Sequence, residues 1–92
     1  MIRHIVFWKF RPDADPEPFL QALSALPEQI DWIRGMHVAR SAAPNAAWDA
    51  ALEVDFDTLE DVARYRDDPC HKKVSALCKS IRTDRVSIDI PL

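Results

Sequence analysis

From Trp48 to Phe56 the sequence WDAALEVDF sets Trp48, Ala50, Leu52, Val54 and Phe56 at every second position, with Asp49, Ala51, Glu53 and Asp55 between them. Successive side chains of an extended strand point to opposite faces, so this stretch predicts a β-strand with one apolar and one mostly polar face. A strand of that kind buries nothing alone. It commits the chain to a sheet covered on one side, and the other segments must supply partner strands and the cover.

Ile2 to Phe10 is dense in β-branched and aromatic residues and stops at Arg11-Pro12, which predicts a first strand. Asp15 is placed to cap a helix with Pro16 at its first position and Glu17 at its positive end. Phe19, Ala22, Leu23 and Leu26 recur at helical spacing until Pro27. A further turn with Ile30 and Ile33 runs to Gly35 as a C-terminal stop, and Met36 to Arg40 predicts a short strand before the loop SAAPNAA. Beyond the alternating strand, Thr58 and Asp61 resemble a capping box that opens a helix with Leu59, Val62 and Ala63 inward. Asp68-Pro69 restarts the helix, with Val74, Leu77, Cys78 and Ile81 as one apolar stripe before Asp84. The last strand carries Val86, Ile88 and Ile90 on one face and Arg85, Ser87 and Asp89 on the other.

The order βαββαβ predicts an α+β, ferredoxin-like fold: a four-stranded antiparallel sheet with its helices on one face, in a single domain over residues 1–92. Val6, Trp8 and Phe10 then point toward the helices, with His4 on the same side. Ile5 and Phe7 lie on the open face beside Ala39 and Ala51, and Arg3, Lys9, Glu53, Asp55, Arg85 and Asp89 are assigned there too. Two open faces meeting across a two-fold axis give a dimeric α/β barrel, so a homodimer is expected; the alternative is a solvated, charged face.

Charge narrows the partners. Twelve Lys and Arg against 15 Asp and Glu give a net charge of -3 with the cations scattered, which argues against nucleic acid. The N-terminal apolar run is broken by Lys9 and Arg11 and has no small-residue cleavage site, so neither a signal peptide nor a membrane span is expected. Cys70 and Cys78 on one helix lie roughly 12 Å apart, beyond the ~7 Å a disulfide tolerates. A cytoplasmic setting with reduced thiols follows as the expectation.

The segment YRDDPCH carries the candidate chemistry. Along an uninterrupted helix, Tyr65 and His71 would be separated by a rotation of roughly 600°. With Asp68 as N-cap and Pro69 as first residue of a new helix, the direction of His71 is reset, and the break can aim both side chains at one hollow. His4 alternates with Val6 and Trp8, so Tyr65, His71 and His4 are predicted to converge on an apolar pocket suited to a substrate with few polar atoms. The positive helix end lowers the pKa of His71 while Asp67 and Asp68 oppose it. The competing readings are a hydrogen-bonded core His4 and a Tyr65 that only packs its ring. Trp8, Trp32 and Trp48 read as core or pocket wall. Cys70 and His71 have no second ligand pair at metal spacing, so no metal is expected; Gly35 stands alone, so there is no glycine-rich phosphate loop, and no GxSxG elbow occurs.

RHIVFWKF, AWDAALEVDF, YRDDPCHKKV and RVSIDI, with the Tyr-x3-Pro-x-His spacing, together resemble the stress-responsive dimeric α/β barrel (Dabb) family over essentially the whole chain. The resemblance implies a ferredoxin-like protomer, a homodimer closed by sheet-to-sheet packing and no organic cofactor. Its informative member is a plant polyketide cyclase, olivetolic acid cyclase, which performs an intramolecular aldol condensation. The tyrosine and histidine of that enzyme match Tyr65 and His71, and its first-strand histidine matches His4. The resemblance thus implies that His71 removes a proton α to a carbonyl, Tyr65 hydrogen-bonds the oxyanion and His4 orients the chain. A further pocket histidine of the cyclase falls where this sequence has Ala50, so substrate and chemistry need not be identical.

Three functions follow as expectations. The first is a stress-responsive barrel acting as a cofactor-independent enzyme on a small apolar carbonyl compound, by aldol cyclisation or isomerisation. The second is a non-catalytic, stress-associated dimer that binds an apolar ligand. The third is a cofactor-free monooxygenase-like enzyme.

Overall fold

The first strand, β1 (Ile2–Phe10), runs through the interior of the sheet, paired antiparallel with β3 (Ala50–Phe56) on one side and β4 (Arg82–Pro91) on the other. β2 (Gly35–Arg40) extends the sheet beyond β3, giving the order β2-β3-β1-β4 in this computed structural model, which describes residues 1–92. Three helices complete the ferredoxin-like fold: α1 (Glu17–Ser24), α2 (Leu59–Asp67) and α3 (Pro69–Ile81). No helix is long and apolar enough to cross a membrane.

The alternation of β3 has the predicted consequence. Ala50, Leu52, Val54 and Phe56 are buried, and they join Val6 and Trp8 of β1, Phe19 and Leu23 of α1, Val62 and Tyr65 of α2, and Val74 and Cys78 of α3 in one core. Each large apolar side chain buried there contributes about 1.5–3 kcal/mol. The Trp8 and Phe19 rings meet edge to face at 5.1 Å, tying α1 to the sheet.

Several boundaries differ from the sequence expectation. The first helix begins at Glu17, whose amide still donates to Asp15 Oδ1 (3.1 Å), and it ends at Ser24. Leu26–Glu28 forms a separate 3-10 turn, because Pro27 cannot donate a backbone hydrogen bond and disfavours a helical residue before it. Gly35 opens β2 rather than closing a helix, since the chain has already joined the sheet edge through Arg34 N–H to Asp55 O (2.8 Å). Leu59 and Ala63 face outward, and α2 buries Val62 and Tyr65 instead. Leu77 is 43% exposed, which narrows the α3 stripe to Val74, Cys78 and the partly buried Ile81.

The largest correction concerns β4. α3 passes directly into this strand at Arg82, and the pairing of β4 with β1 decides its faces. Asp89, Ser87 and Arg85 lie opposite His4, Val6 and Trp8, whereas Ile88 and Val86 lie opposite Ile5 and Phe7. Directly paired residues share a face. Arg85 and Asp89 therefore project to the helix side, not to the open face, and the open face carries Phe7, Val86 and Ile88 exposed at its centre. Arg3 and Asp55 flank that patch as a two-bonded pair (2.8 and 3.0 Å), which holds the Asp55 carboxyl below its usual range.

Candidate active site

Tyr65 is carried one turn before the end of α2, and Asp68 then adopts an extended backbone that breaks the helix. Asp68 Oδ1 accepts from Cys70 N–H (2.8 Å), its carbonyl accepts from Lys72 N–H (3.0 Å), and Pro69 sits at the first position of α3, where no amide is needed. The break does what the sequence suggested: the rings of Tyr65 and His71 lie 4.3 Å apart, centroid to centroid. His4 reaches the same place from β1, with its ring 6.4 Å from that of Tyr65. All three line a cavity of about 460 Å³ between the sheet and the helices, with Val6, Leu52 and Val74 among its apolar walls.

Each imidazole has its Nδ1 engaged. His4 Nδ1 lies 2.6 Å from Asp89 Oδ1, and His71 Nδ1 lies 3.3 Å from the Arg66 carbonyl. A carboxylate or carbonyl oxygen only accepts, so Nδ1 is the protonated nitrogen in both neutral rings and Nε2 keeps its lone pair. Burial lowers the pKa of His4, partly offset by the hydrogen bond and charge of Asp89. Burial likewise lowers that of His71, against the Arg66 carbonyl and reinforced by His4, Arg85 and Arg66. Both rings are thus mainly neutral near neutrality. The expected pull of Asp67 and Asp68 on His71 is not among these causes; the Asp68 side chain is turned to the Cys70 amide.

Tyr65 is 1% exposed, and burial pushes its phenol pKa up, which keeps the hydroxyl a donor. That hydroxyl and Trp8 Nε1 are buried without a hydrogen-bond partner, and both residues line the cavity. A buried, unpaired donor costs about 1–3 kcal/mol. An acceptor for either donor would have to come from outside the chain, since the protein supplies none. One hollow therefore offers proton acceptors (imidazole Nε2) beside proton donors (phenol O–H and indole N–H), the pairing needed to take a proton from carbon while holding the oxygen that gains charge.

Sequence reasoning missed Asp89, whose second oxygen also faces Arg66 Nη2 at 3.5 Å, and it missed the basic residues of the cavity. For Asp89 and Arg85 the signal lay in the antiparallel alignment of β4 with β1, which sets them opposite His4 and Trp8. Ala50, in place of the third-strand histidine suggested by the family resemblance, is buried in the core and does not line the cavity.

The sequence profile of the family described as Stress responsive A/B Barrel Domain matches residues 2–92. Among solved structures, the chain is similar to a dimeric protein of unknown function with a ferredoxin-like fold from Bacteroides fragilis, at 31% identity and TM-score 0.89, covering 99% of this chain and 95% of that one. A dimeric ferredoxin-like protein of unknown function from Thermobifida fusca matches at 26% identity and TM-score 0.87, over 99% and 90% of the two chains. The hydroxynitrile lyase of Passiflora edulis has the same fold (TM-score 0.87, 99% and 92% covered) at 14% identity. No protein of curated function matches the chain in sequence.

Proposed function

This chain belongs to the stress responsive A/B barrel domain family, and we propose that its cavity performs cofactor-independent acid-base chemistry on a small, largely apolar carbonyl compound. The observation that carries the reading is the Tyr65 hydroxyl, buried without a partner beside the neutral His71 ring. In this scheme His71 Nε2 takes a proton from the carbon α to the carbonyl, and the C–H electron pair moves into an enolate. Tyr65 donates a hydrogen bond to the enolate oxygen, while His4, held by Asp89, orients the bound chain. In an aldol cyclisation the enolate carbon attacks a second carbonyl carbon of the same molecule. The new alkoxide then recovers the proton from the His71 imidazolium; in an isomerisation the proton returns to a different carbon.

Positioned groups of this kind supply about 10² to 10⁴-fold in rate. The direct test is exchange of the α-hydrogens of propiophenone in deuterium oxide, followed by proton NMR. Wild type should exceed an equal concentration of free imidazole, and His71→Ala and Tyr65→Phe should each remove most of the excess while remaining folded. Absence of any acceleration leaves ligand binding without turnover as the function, and acceleration unchanged in both variants removes His71 and Tyr65 from the roles assigned to them. The protein is further proposed to act as a homodimer joined through the open sheet face, in keeping with the dimeric relatives.

A further inference from the structure

The chain has more acidic than basic residues, yet the cavity is bordered by Arg66, Lys79, Arg82 and Arg85 and by no Asp or Glu; Asp89 lies behind His4, bound to its Nδ1. The pairing pattern is sharper still. Arg3, Arg11, Arg34, Arg40, Arg64 and Arg66 each have a carboxylate partner. Arg82 and Arg85, the two remaining arginines, have none, and both border the cavity. The only hydrogen bond of the Arg85 guanidinium to a side chain is a long one from Nη1 to Ser87 Oγ (3.5 Å). Although Arg85 as a whole remains exposed, its guanidinium is desolvated and repelled by Arg82 and Arg66, which lowers its pKa. Cys78 and Tyr65 offset that repulsion only in part.

We propose that the cavity selects carbonyl compounds that also carry a carboxylate, with Arg85 and Arg82 binding the carboxylate at the mouth while the carbonyl lies inward against Tyr65 and His71. This rests on the carbonyl-binding reading above and names its substrate class. The unpartnered donors of Tyr65 and Trp8 are buried polar groups of the cavity, and the unpaired guanidinium groups are less buried ones. Guanidinium matches a carboxylate with two parallel hydrogen bonds. A phosphate dianion suits this place less than a carboxylate, because the C-terminal, negative end of α3 adjoins it and opposes a double charge more than a single one. The same helix end accounts for Lys79 and Arg82 as partners of its dipole, but not for Arg85, which belongs to β4.

The test compares benzoylpropionate with its methyl ester, which keeps the ring and the ketone and loses the charge. Calorimetric titration gives both affinities, and the Trp8 indole N–H resonance, assigned with Trp8→Phe, reports entry into the cavity. Wild type should bind the acid at least about tenfold more tightly than the ester, as expected for a charged hydrogen bond. Arg85→Gln and Arg82→Gln should each reduce that ratio severalfold and leave the ester unchanged. Equal affinities, or a ratio indifferent to both substitutions, overturns the carboxylate site while the Trp8 signal still reports a carbonyl ligand. If neither compound moves the Trp8 resonance, the carbonyl-binding cavity fails and the carboxylate site fails with it.

Discussion

His4 Nδ1 and Asp89 Oδ1 meet at 2.6 Å, joining residues 85 positions apart at the two ends of the chain. The contact exists because the antiparallel pairing of β1 and β4 sets these two residues opposite each other on the helix side of the sheet. It fixes the His4 tautomer and partly offsets the desolvation that lowers the pKa of this imidazole. Asp89→Asn preserves the shape and removes the charge. His4 should then titrate lower still than in wild type, as followed by heteronuclear NMR of the imidazole; an unchanged or raised midpoint would mean that Asp89 does not govern this ring.

The two depressed histidines set the acid response of the fold. Both native pKa values lie below the ordinary 6.5, so below about pH 6.5 the unfolded chain binds more protons than the native one. Their contribution to stability is complete above that pH and is lost as pH falls toward the native midpoints. The Asp55 pair is lost only below the ordinary carboxylate pKa of 3.8, outside this window. Thermal melts should therefore show Tm falling between about pH 7 and about pH 5, and His4→Gln should flatten the slope. A Tm that rises over this interval contradicts the neutral-imidazole geometry.

Tyr65→Phe separates function from stability. Its hydroxyl is buried and unpaired, and its ring packs against the rings of Phe56 (centroids 5.1 Å apart) and His71 (4.3 Å). Deleting an unsatisfied hydroxyl relieves a penalty of about 1 kcal/mol or more, which corresponds to a Tm increase of roughly 4–8 °C in a domain of this size. The same change should remove most of the α-hydrogen exchange. A loss of Tm instead would assign the hydroxyl a structural bond.

Much of the fold was legible because its signals are local. Alternation marks β3, Thr58 accepts from Asp61 N–H as a cap (3.2 Å), and Asp68-Pro69 marks the helix break that brings Tyr65 to His71. The rest depends on non-local pairing. In β4, Arg85, Ser87 and Asp89 alternate with Val86, Ile88 and Ile90, and either set suits a half-buried strand until β1 chooses between them. Arg85 followed the same choice, so the sequence alone placed it on the wrong face. In α2 the apolar residues are too few to define a stripe, and Tyr65, not Leu59, occupies the inner position.

The helix break itself is testable through its cap. Asp68 satisfies an amide at the start of α3, and replacing a capping Asp by Ala costs about 1 kcal/mol. Asp68→Ala should lose that amount in urea denaturation and should also broaden or shift the His71 resonances, since the cap orients the first turn that carries the ring. A stability loss with His71 unmoved would confine Asp68 to a structural role.

The last prediction concerns the face opposite the helices. Ile88 is 59% exposed and Phe7 41% exposed, paired through neighbouring strands into a patch that has no cover within the protomer. An interface of standard size buries about 800 Å² on each partner, and solved relatives of this chain are dimeric. Charge placed at the centre of such a contact is desolvated without a partner and costs several kcal/mol, so Ile88→Asp should weaken self-association at least about 10²-fold. The folded protomer should survive, because Ile88 contributes nothing to the core between sheet and helices. Sedimentation over a range of concentrations checks both halves: wild type as a dimer, and the variant as a monomer with the wild-type circular dichroism spectrum. A monomeric wild type would overturn the homodimer, a variant dimer of undiminished affinity would place the contact elsewhere, and either would leave the apolar patch on β1 and β4 without a partner of its own kind.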